Sequence, residues 1–276
     1  MNPRKLLSDP DYKTKFYRLA GSIFTYKSSM DNPSIPIGVT RLFARRSFVK
    51  SATAMYTEGL VRKLRNDPTP QEYRIVDSID THAIRSGLAE YTPASPATIT
   101  LLNNTLREPD RLVLHRWGLY ECTTNDIRRD NRGPKYNQST LALLVDVPAQ
   151  DVVDRFGNFP IWVAPSGTQH VEFLQPGVAK PTKAQLQAMG WREVSIGTAP
   201  ERVIVAQNRY YGRRKQYALK HTGASTVNKA QGDTLPLGAA VKVTSNNSCP
   251  WQKEQVVVAF SRTRRACDTI IVGRKG

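Results

Sequence analysis

With 276 residues, 39% of them hydrophobic, and a formal net charge of +17, the chain has room for one large domain or two modest ones. No apolar run approaches the ~18 residues that a membrane span needs. The opening Met1-Asn2-Pro3-Arg4-Lys5 lacks the apolar core of a signal peptide, so an intracellular protein is expected, nuclear in a eukaryotic cell. The charge is uneven, +8 over residues 1–75, −1 over 76–200 and +10 over 201–276, and basic ends around a neutral middle suit a phosphate backbone. Cys122, Cys249 and Cys267 are far apart, and His82, His115, His170 and His221 do not cluster. Neither a disulfide framework nor a metal-ligand spacing is visible, and the thiols read as small buried hydrophobes in a reducing compartment.

Residues 1–34 mix charge with Tyr and Phe and read as a lead-in, with a short helix near Asp11–Ala20. Ile35–Thr40 reads as a short buried strand. Over 47–65 the apolar residues Phe48, Ala52, Met55, Val61 and Leu64 recur at three- and four-residue spacing, which predicts a helix, and Asn66-Asp67-Pro68 stops it. Tyr73–Asp77 is a second strand, so the order strand, helix, strand predicts an α/β unit. Residues 92–110, rich in Pro, Thr, Ser and Asn, read as a linker. Leu112–Cys122 alternates as one strand. Asn131–Pro134 is a turn, Leu141–Val145 and Pro160–Ala164 are short strands, and Lys183–Met189 is a short helix ending at Gly190. The middle of the chain is thus mostly β.

Arg209-Tyr210-Tyr211-Gly212-Arg213-Arg214-Lys215-Gln216-Tyr217 interleaves basic and aromatic residues. Arg213 and Arg214 suit phosphates, and Tyr217 suits stacking on a base, as single-strand binding requires. An equal alternative is a β-edge whose tyrosines face a core. Gly223–Gln231 then reads as a short helix that Gly232 ends in the left-handed conformation, followed by strand Ala239–Val243. The β-branched run Gln255–Phe260 has strand propensity, but Ser248-Cys249-Pro250 is a helix start with Pro in the first turn. We expect a helix over roughly 250–262, then strand Thr269–Gly273.

Two stretches carry the chemistry. Ser225-Thr226-Val227-Asn228-Lys229-Ala230-Gln231-Gly232-Asp233-Thr234-Leu235 and Val256-Val257-Val258-Ala259-Phe260-Ser261-Arg262-Thr263-Arg264-Arg265 resemble, in order, spacing and flanks, the last two signature motifs of superfamily-one DNA helicases. The match is to their Pif-type (petite integration frequency) branch. Asn228 stands where that family usually has His.

The resemblance covers roughly residues 35–276 and implies the C-terminal half of a helicase motor. The implied fold is α/β: a RecA-like domain, of P-loop NTPase type but without its own P-loop, interrupted by a mostly β inserted subdomain of Src-homology-three-like type. Its parts would be 35–91 and 218–276 for the RecA-like domain and 92–217 for the insert. Thr226, Asn228, Lys229, Arg213, Arg214 and Tyr217 are then expected on nucleic acid. Gln231, Gly232, Arg262 and Arg264 are expected on nucleotide, with Arg262 as the catalytic finger to the γ-phosphate.

No Gly-x-x-x-x-Gly-Lys-Ser/Thr and no Asp-Glu pair occurs in the sequence, and this hydrolysis needs a phosphate cradle and a metal carboxylate. ATP and Mg2+ are therefore expected only together with a first RecA-like domain, in cis or in trans, and the other partner is single-stranded nucleic acid, with DNA favoured. DNA repair, recombination and telomere maintenance are the roles the resemblance implies. The alternative function is a non-catalytic nucleic-acid-binding module derived from a helicase.

Overall fold

A computed structural model of the chain describes residues 25–27, 39–43, 46–68, 71–83, 92–126, 136–165, 171–175, 177–206, 210–228, 230, 235, 237–242, 258–263 and 265–272. The expected helix near Asp11–Ala20 and the turn Asn131–Pro134 lie outside them. In chain order the elements are β1 (Thr25–Lys27), β2 (Thr40–Phe43), α1 (Arg46–Arg65), β3 (Tyr73–Asp77), β4 (Ile79–Ala83), β5 (Thr92–Pro93), α2 (Pro96–Thr105), β6 (Arg111–His115), β7 (Gly118–Cys122) and β8 (Leu141–Leu144). There follow α3 (Gln150–Asp154), β9 (Phe159–Val163), α4 (Lys183–Ala188), β10 (Arg192–Ile196), β11 (Ile204–Ala206), β12 (Tyr210–Lys215), β13 (Leu219–His221), β14 (Ala224–Thr226), β15 (Ala239–Lys242) and β16 (Thr269–Val272).

The chain divides into two compact units. One comprises Met1–Tyr56, Gln169–Ala179 and Gly223–Gly276; the other comprises Thr57–Thr168 and Lys180–Thr222. The first is built on a five-stranded sheet of order β1-β16-β15-β2-β14 in which every pairing is parallel. A parallel sheet is stable when both faces are covered, and β2, buried along its whole length, shows that here. Phe43 packs with Ala52 of α1, Ala224, Ala240, Ile270 and Val272. Its neighbour Leu42 belongs to a separate cluster with Val227, Ala230, Ala239, Val241 and Ala259. Consecutive residues of one strand thus enter two different cores.

The second unit is antiparallel. It holds a five-stranded sheet of order β10-β9-β8-β7-β13, a four-stranded sheet of order β11-β12-β4-β5 and the pair β3-β6. This is the expected α/β class, a parallel-sheet domain with a mostly β companion. The dividing points differ from expectation: they fall at Tyr56/Thr57 and Thr222/Gly223 rather than at 91/92 and 217/218. The reason is strand pairing. Tyr73–Asp77 forms as expected, but it pairs antiparallel with β6, and β4 pairs with β12, so both belong to the β unit.

Three local readings are corrected. Residues 96–105 are a helix, not linker: Ser95 Oγ accepts the Thr98 N–H, and Pro96 occupies the first turn, where its missing N–H costs nothing. Leu112–Cys122 is not one strand but two, β6 and β7, separated by a turn at Trp117 with φ 60° and paired into different sheets. Ala224–Thr226, expected to be helical, is a strand. The Gly223 carbonyl accepts the Arg41 N–H at 3.0 Å and the Phe43 carbonyl accepts the Val227 N–H at 3.0 Å, so sheet pairing with β2 overrides local preference. Gly223 is required at this crossing because a Cβ there would lie 2.6 Å from the Tyr56 ring. Elsewhere the helix at 183–188 carries the capping box Thr182/Gln185, and Gly190 follows it at φ 84°. Of the cysteines, Cys122 is buried and its thiol is pushed up to about 12 by burial, whereas Cys267 is exposed, contrary to expectation. Cys249 lies outside the described residues.

Two histidines that are far apart in sequence converge on one buried tyrosine. The Tyr120 hydroxyl donates to the Val113 carbonyl at 2.8 Å and accepts the His115 backbone N–H at 3.0 Å, and its ring lies 5.3 Å from that of His221. His221 Nε2 accepts the Val113 N–H at 3.2 Å, which only an unprotonated nitrogen can do. Burial, then the charge of His115, pushes His221 down to about 3. Burial pushes His115 down to about 4, against a backbone hydrogen bond to Arg116 that raises it and a Lys63 charge that lowers it further.

In the unfolded chain both rings take up protons near pH 6.5, and in the folded chain only near 3 to 4. Their contribution to stability is therefore complete above about pH 6.5 and is lost as the pH falls through the folded values, at about 1.4 kcal/mol for each pH unit per ring. Urea midpoints measured from pH 7.5 down to pH 4 should fall. His221→Gln, whose amide oxygen can accept the same N–H without titrating, should flatten that fall.

Candidate functional site

In the parallel-sheet unit the two motif stretches meet. Thr226 ends β14 at the carboxyl edge of the sheet, the edge where open α/β sheets place ligands. One helical turn follows, closed by Ala230 N–H to the Thr226 carbonyl at 3.0 Å, and Asn228 is exposed on it. The second stretch supplies a short helical segment at 258–260, ending with Ser261 N–H to the Val258 carbonyl at 3.2 Å and Arg262 N–H to the Ala259 carbonyl at 3.4 Å. Of the expected helix over 250–262 the remainder, 250–257, lies outside the described residues.

Arg262 joins the stretches. Its carbonyl accepts the Leu235 N–H at 2.7 Å, and its Nη1 approaches the Ala230 carbonyl at 3.5 Å. Beneath them Val227, Ala230 and Ala259 share one apolar cluster. Apolar packing plus the Leu235–Arg262 hydrogen bond thus brings the two motif stretches together. Lys229, Gln231, Gly232 and Arg264 fall outside the described residues. Arg265 forms a surface pair with Asp268 at 3.1 Å, which occupies it locally.

Over the described part of the basic-aromatic run, 210–217, the structure supports the second of the two equal readings at Tyr217, which faces a core. Along β12 the alternation of strand side chains decides which residues reach solvent. Gly212 faces α2, where a Cβ would stand 2.9 Å from Thr98 Cγ2, and Arg214 faces the same way. Arg214 is 3% exposed and donates four hydrogen bonds. Its Nε donates to Asp80 Oδ1 at 2.7 Å, Nη2 donates to Asp80 Oδ2 and to Asn103 Oδ1, and Nη1 donates to the Glu108 carbonyl. Ser78 Oγ donates to Asp80 Oδ1 at 2.8 Å and so helps orient the Arg214–Asp80 ion pair. Tyr217 is fully buried, with its hydroxyl donating to the Gly157 carbonyl at 3.0 Å and its ring edge-on to Phe159. Arg214 and Tyr217 are therefore core residues and not nucleic-acid contacts.

Arg213 points to the other face, bonded to Thr81 and paired with Glu201 at 3.4 Å, with about a third of its side chain exposed. Lys215 shares that face, its Nζ 5.2 Å above the Phe156 ring. The i, i+2 spacing of Arg213 and Lys215 was the signal that separated them from Arg214, and sequence reasoning passed over it.

Among the described residues no group of His, Cys, Asp and Glu is arranged to hold a metal ion, and no helix is long and apolar enough to cross a membrane. No family model and no curated protein matches the chain. Solved structures do. The Pif1 helicase from Candida albicans superposes with a TM-score of 0.53 at 17% identity, over 97% of this chain and 50% of that one. The fold is similar to that of half a Pif1 helicase. A Pif1 helicase from Bacteroides in complex with ADP-AlF3 and ssDNA gives 0.48 at 14% identity, over 94% of this chain and 45% of that one. The fold assignment rests on the Candida structure, and this chain spans about half the length of the solved proteins it matches.

The different fates of neighbouring arginines are testable. Arg214→Ala strands the Asp80 carboxylate in the interior and should cost about 3–5 kcal/mol in urea unfolding. Arg213→Ala, on the open face, should cost less than about 1 kcal/mol.

Proposed function

We propose that this chain is the C-terminal motor half of an ATP-dependent DNA helicase, acting with a first RecA-like domain in cis or in trans. In this reading it binds single-stranded DNA through Thr226, Asn228, Lys229 and Arg213, and it presents Arg262 to the nucleotide, with Gln231, Gly232 and Arg264 beside it. The supporting observation is the meeting of the two motif stretches at Arg262 on a parallel sheet, within a fold similar to half of a Pif1 helicase. Roles in DNA repair, recombination and telomere maintenance belong to the same proposal.

The residues present fit a supporting part in the chemistry rather than the whole of it. The sequence holds no Gly-x-x-x-x-Gly-Lys-Ser/Thr and no Asp-Glu pair, so in this reading ATP and Mg2+ are held by the first domain, and ATP supplies the phosphoryl group whose transfer drives the motor. This chain's part is charge. Arg262 stands at the end of a short helical segment with its Nε fixed on the Val258 carbonyl at 2.9 Å. A guanidinium held in this way stabilises negative charge with little reorganisation. Thr226 and Asn228 offer uncharged polar groups, which grip a phosphate loosely enough to release it and step.

Alone, the chain should hydrolyse no significant ATP. Fused behind the first RecA-like domain of a Pif1 helicase, it should hydrolyse ATP when DNA is present. Arg262→Ala should then lower the turnover by ~10³-fold or more, the scale of arginine fingers. Equal turnover in the two fusions removes Arg262 from the mechanism. A folded wild-type fusion that binds DNA and hydrolyses nothing favours the non-catalytic nucleic-acid module.

Single-strand binding by the isolated chain should be nearly sequence-blind, and log affinity should fall with log salt by ~0.7 for each phosphate contacted. Titrations of a labelled oligonucleotide at four salt concentrations measure it. Absence of binding at low salt rejects the helicase and module readings together.

A further inference from the structure

The Arg262 side chain is held by its own chain neighbours in a closed set of hydrogen bonds. Nε donates to the Val258 carbonyl at 2.9 Å and Nη2 donates to Ser261 Oγ at 2.7 Å. Ser261 Oγ in turn donates to the same Val258 carbonyl at 3.0 Å. The valences balance: a hydroxyl has one proton and two lone pairs, and a carbonyl oxygen can accept twice. Ser261 gives its proton to Val258 and accepts from Arg262, and the Val258 oxygen accepts from both.

One edge of the guanidinium, Nε with Nη2, is thereby fastened to the end of the helical segment. A planar fork fastened along one edge has no remaining freedom about its terminal bonds. Its opposite end, Nη1, then lies on the side of the turn that runs from Thr226 to Ala230, 3.5 Å from the Ala230 carbonyl. Ser261 is exposed and fills no core position, so packing does not account for its hydroxyl.

We infer that Ser261 is a positioning residue: its hydroxyl fastens the Nε–Nη2 edge of Arg262 to the Val258 carbonyl and so presents the Nη1 end beside the 226–230 turn. What Arg262 does with that end rests on the proposed function; its orientation by Ser261 does not. Two readouts keep the two apart.

The first uses the isolated full chain labelled with 15N, with the Arg262 Nε–H signal identified by its loss in Arg262→Lys. In the wild type this proton should exchange slowly with water. Ser261→Ala should speed the exchange by on the order of tenfold, the weight of one hydrogen bond to a charged group, and Ser261→Thr should restore it. Ser261→Cys, of similar size but a poor acceptor, should behave as Ser261→Ala does and serves if the alanine variant fails to fold. Exchange that is unchanged in Ser261→Ala or Ser261→Cys overturns the inference.

The second readout is the fusion described above. Ser261→Ala should lower kcat while leaving KM for ATP within about twofold, since an orienting group acts on the transition state more than on ground-state binding. Ser261→Thr should recover the turnover, and a Ser261→Ala fusion as fast as wild type overturns the inference. A fusion inactive in every form counts against the proposed function, and the exchange measurement then decides the role of Ser261 without it.

Discussion

The parallel pairing of β2 with β14 is the constraint on which the rest of the structure depends. Ala224, Ser225 and Thr226 stand opposite Arg41, Leu42 and Phe43. Between these two adjacent strands the chain builds the whole of a second unit. Joining distant residues costs an entropy that grows only with the logarithm of the intervening length, so a large insertion is tolerated if its return point is well defined. Gly223 defines it. Its carbonyl accepts the Arg41 N–H, and its missing side chain lets the backbone approach the Tyr56 ring more closely than any Cβ allows. Once β14 is laid beside β2, Thr226 must end at the carboxyl edge of the sheet, and the turn carrying Asn228 must follow it there.

The same sheet places Arg262. Because both faces of a parallel sheet need cover, the side that holds Leu42 and Val241 draws in Val227 and Ala230 from one motif stretch and Ala259 from the other. These are small or β-branched residues with no chemistry of their own. Burying them together brings the polar residues beside them into reach. The Leu235–Arg262 hydrogen bond and the approach of Nη1 to Ala230 follow from apolar packing.

Charge is less informative than its partition between core and surface. The chain carries +17, and a run such as Arg213-Arg214-Lys215 invites the reading that all three meet phosphate. Strand geometry divides them. Arg214 lies on the α2 side with Gly212 and spends its donors on Asp80, Asn103 and Glu108, while Arg213 and Lys215 lie on the opposite face. His115 and His221 make the same point in the opposite sense. Nothing in their sequence separation suggests a pair, but antiparallel pairing of β13 with β7 and the Tyr120 hydroxyl bonded to the β6 backbone gather both around Tyr120.

Local pattern and motif order were enough to identify the α/β class, the mostly β middle, the helix α1, the strands at 141–144, 159–163, 239–242 and 269–272, and the two stretches that converge at Arg262. These features are legible because they depend on periodicity, on Pro and Gly punctuation and on residue spacing, all of which are properties of short windows. The Ser95-Pro96 helix start was equally local and was masked by the Pro- and Thr-rich composition around it. Tertiary structure alone decided that Ala224–Thr226 is a strand, because β2 supplies the hydrogen bonds that a helix would otherwise have made internally. It also assigned Tyr73–Asp77 to the β unit, and it sent Arg214 and Tyr217 into the core while Arg213 stayed at the surface. Each of these outcomes is set by a partner far away in the chain, and one sequence does not record which distant residue a strand or a side chain will meet.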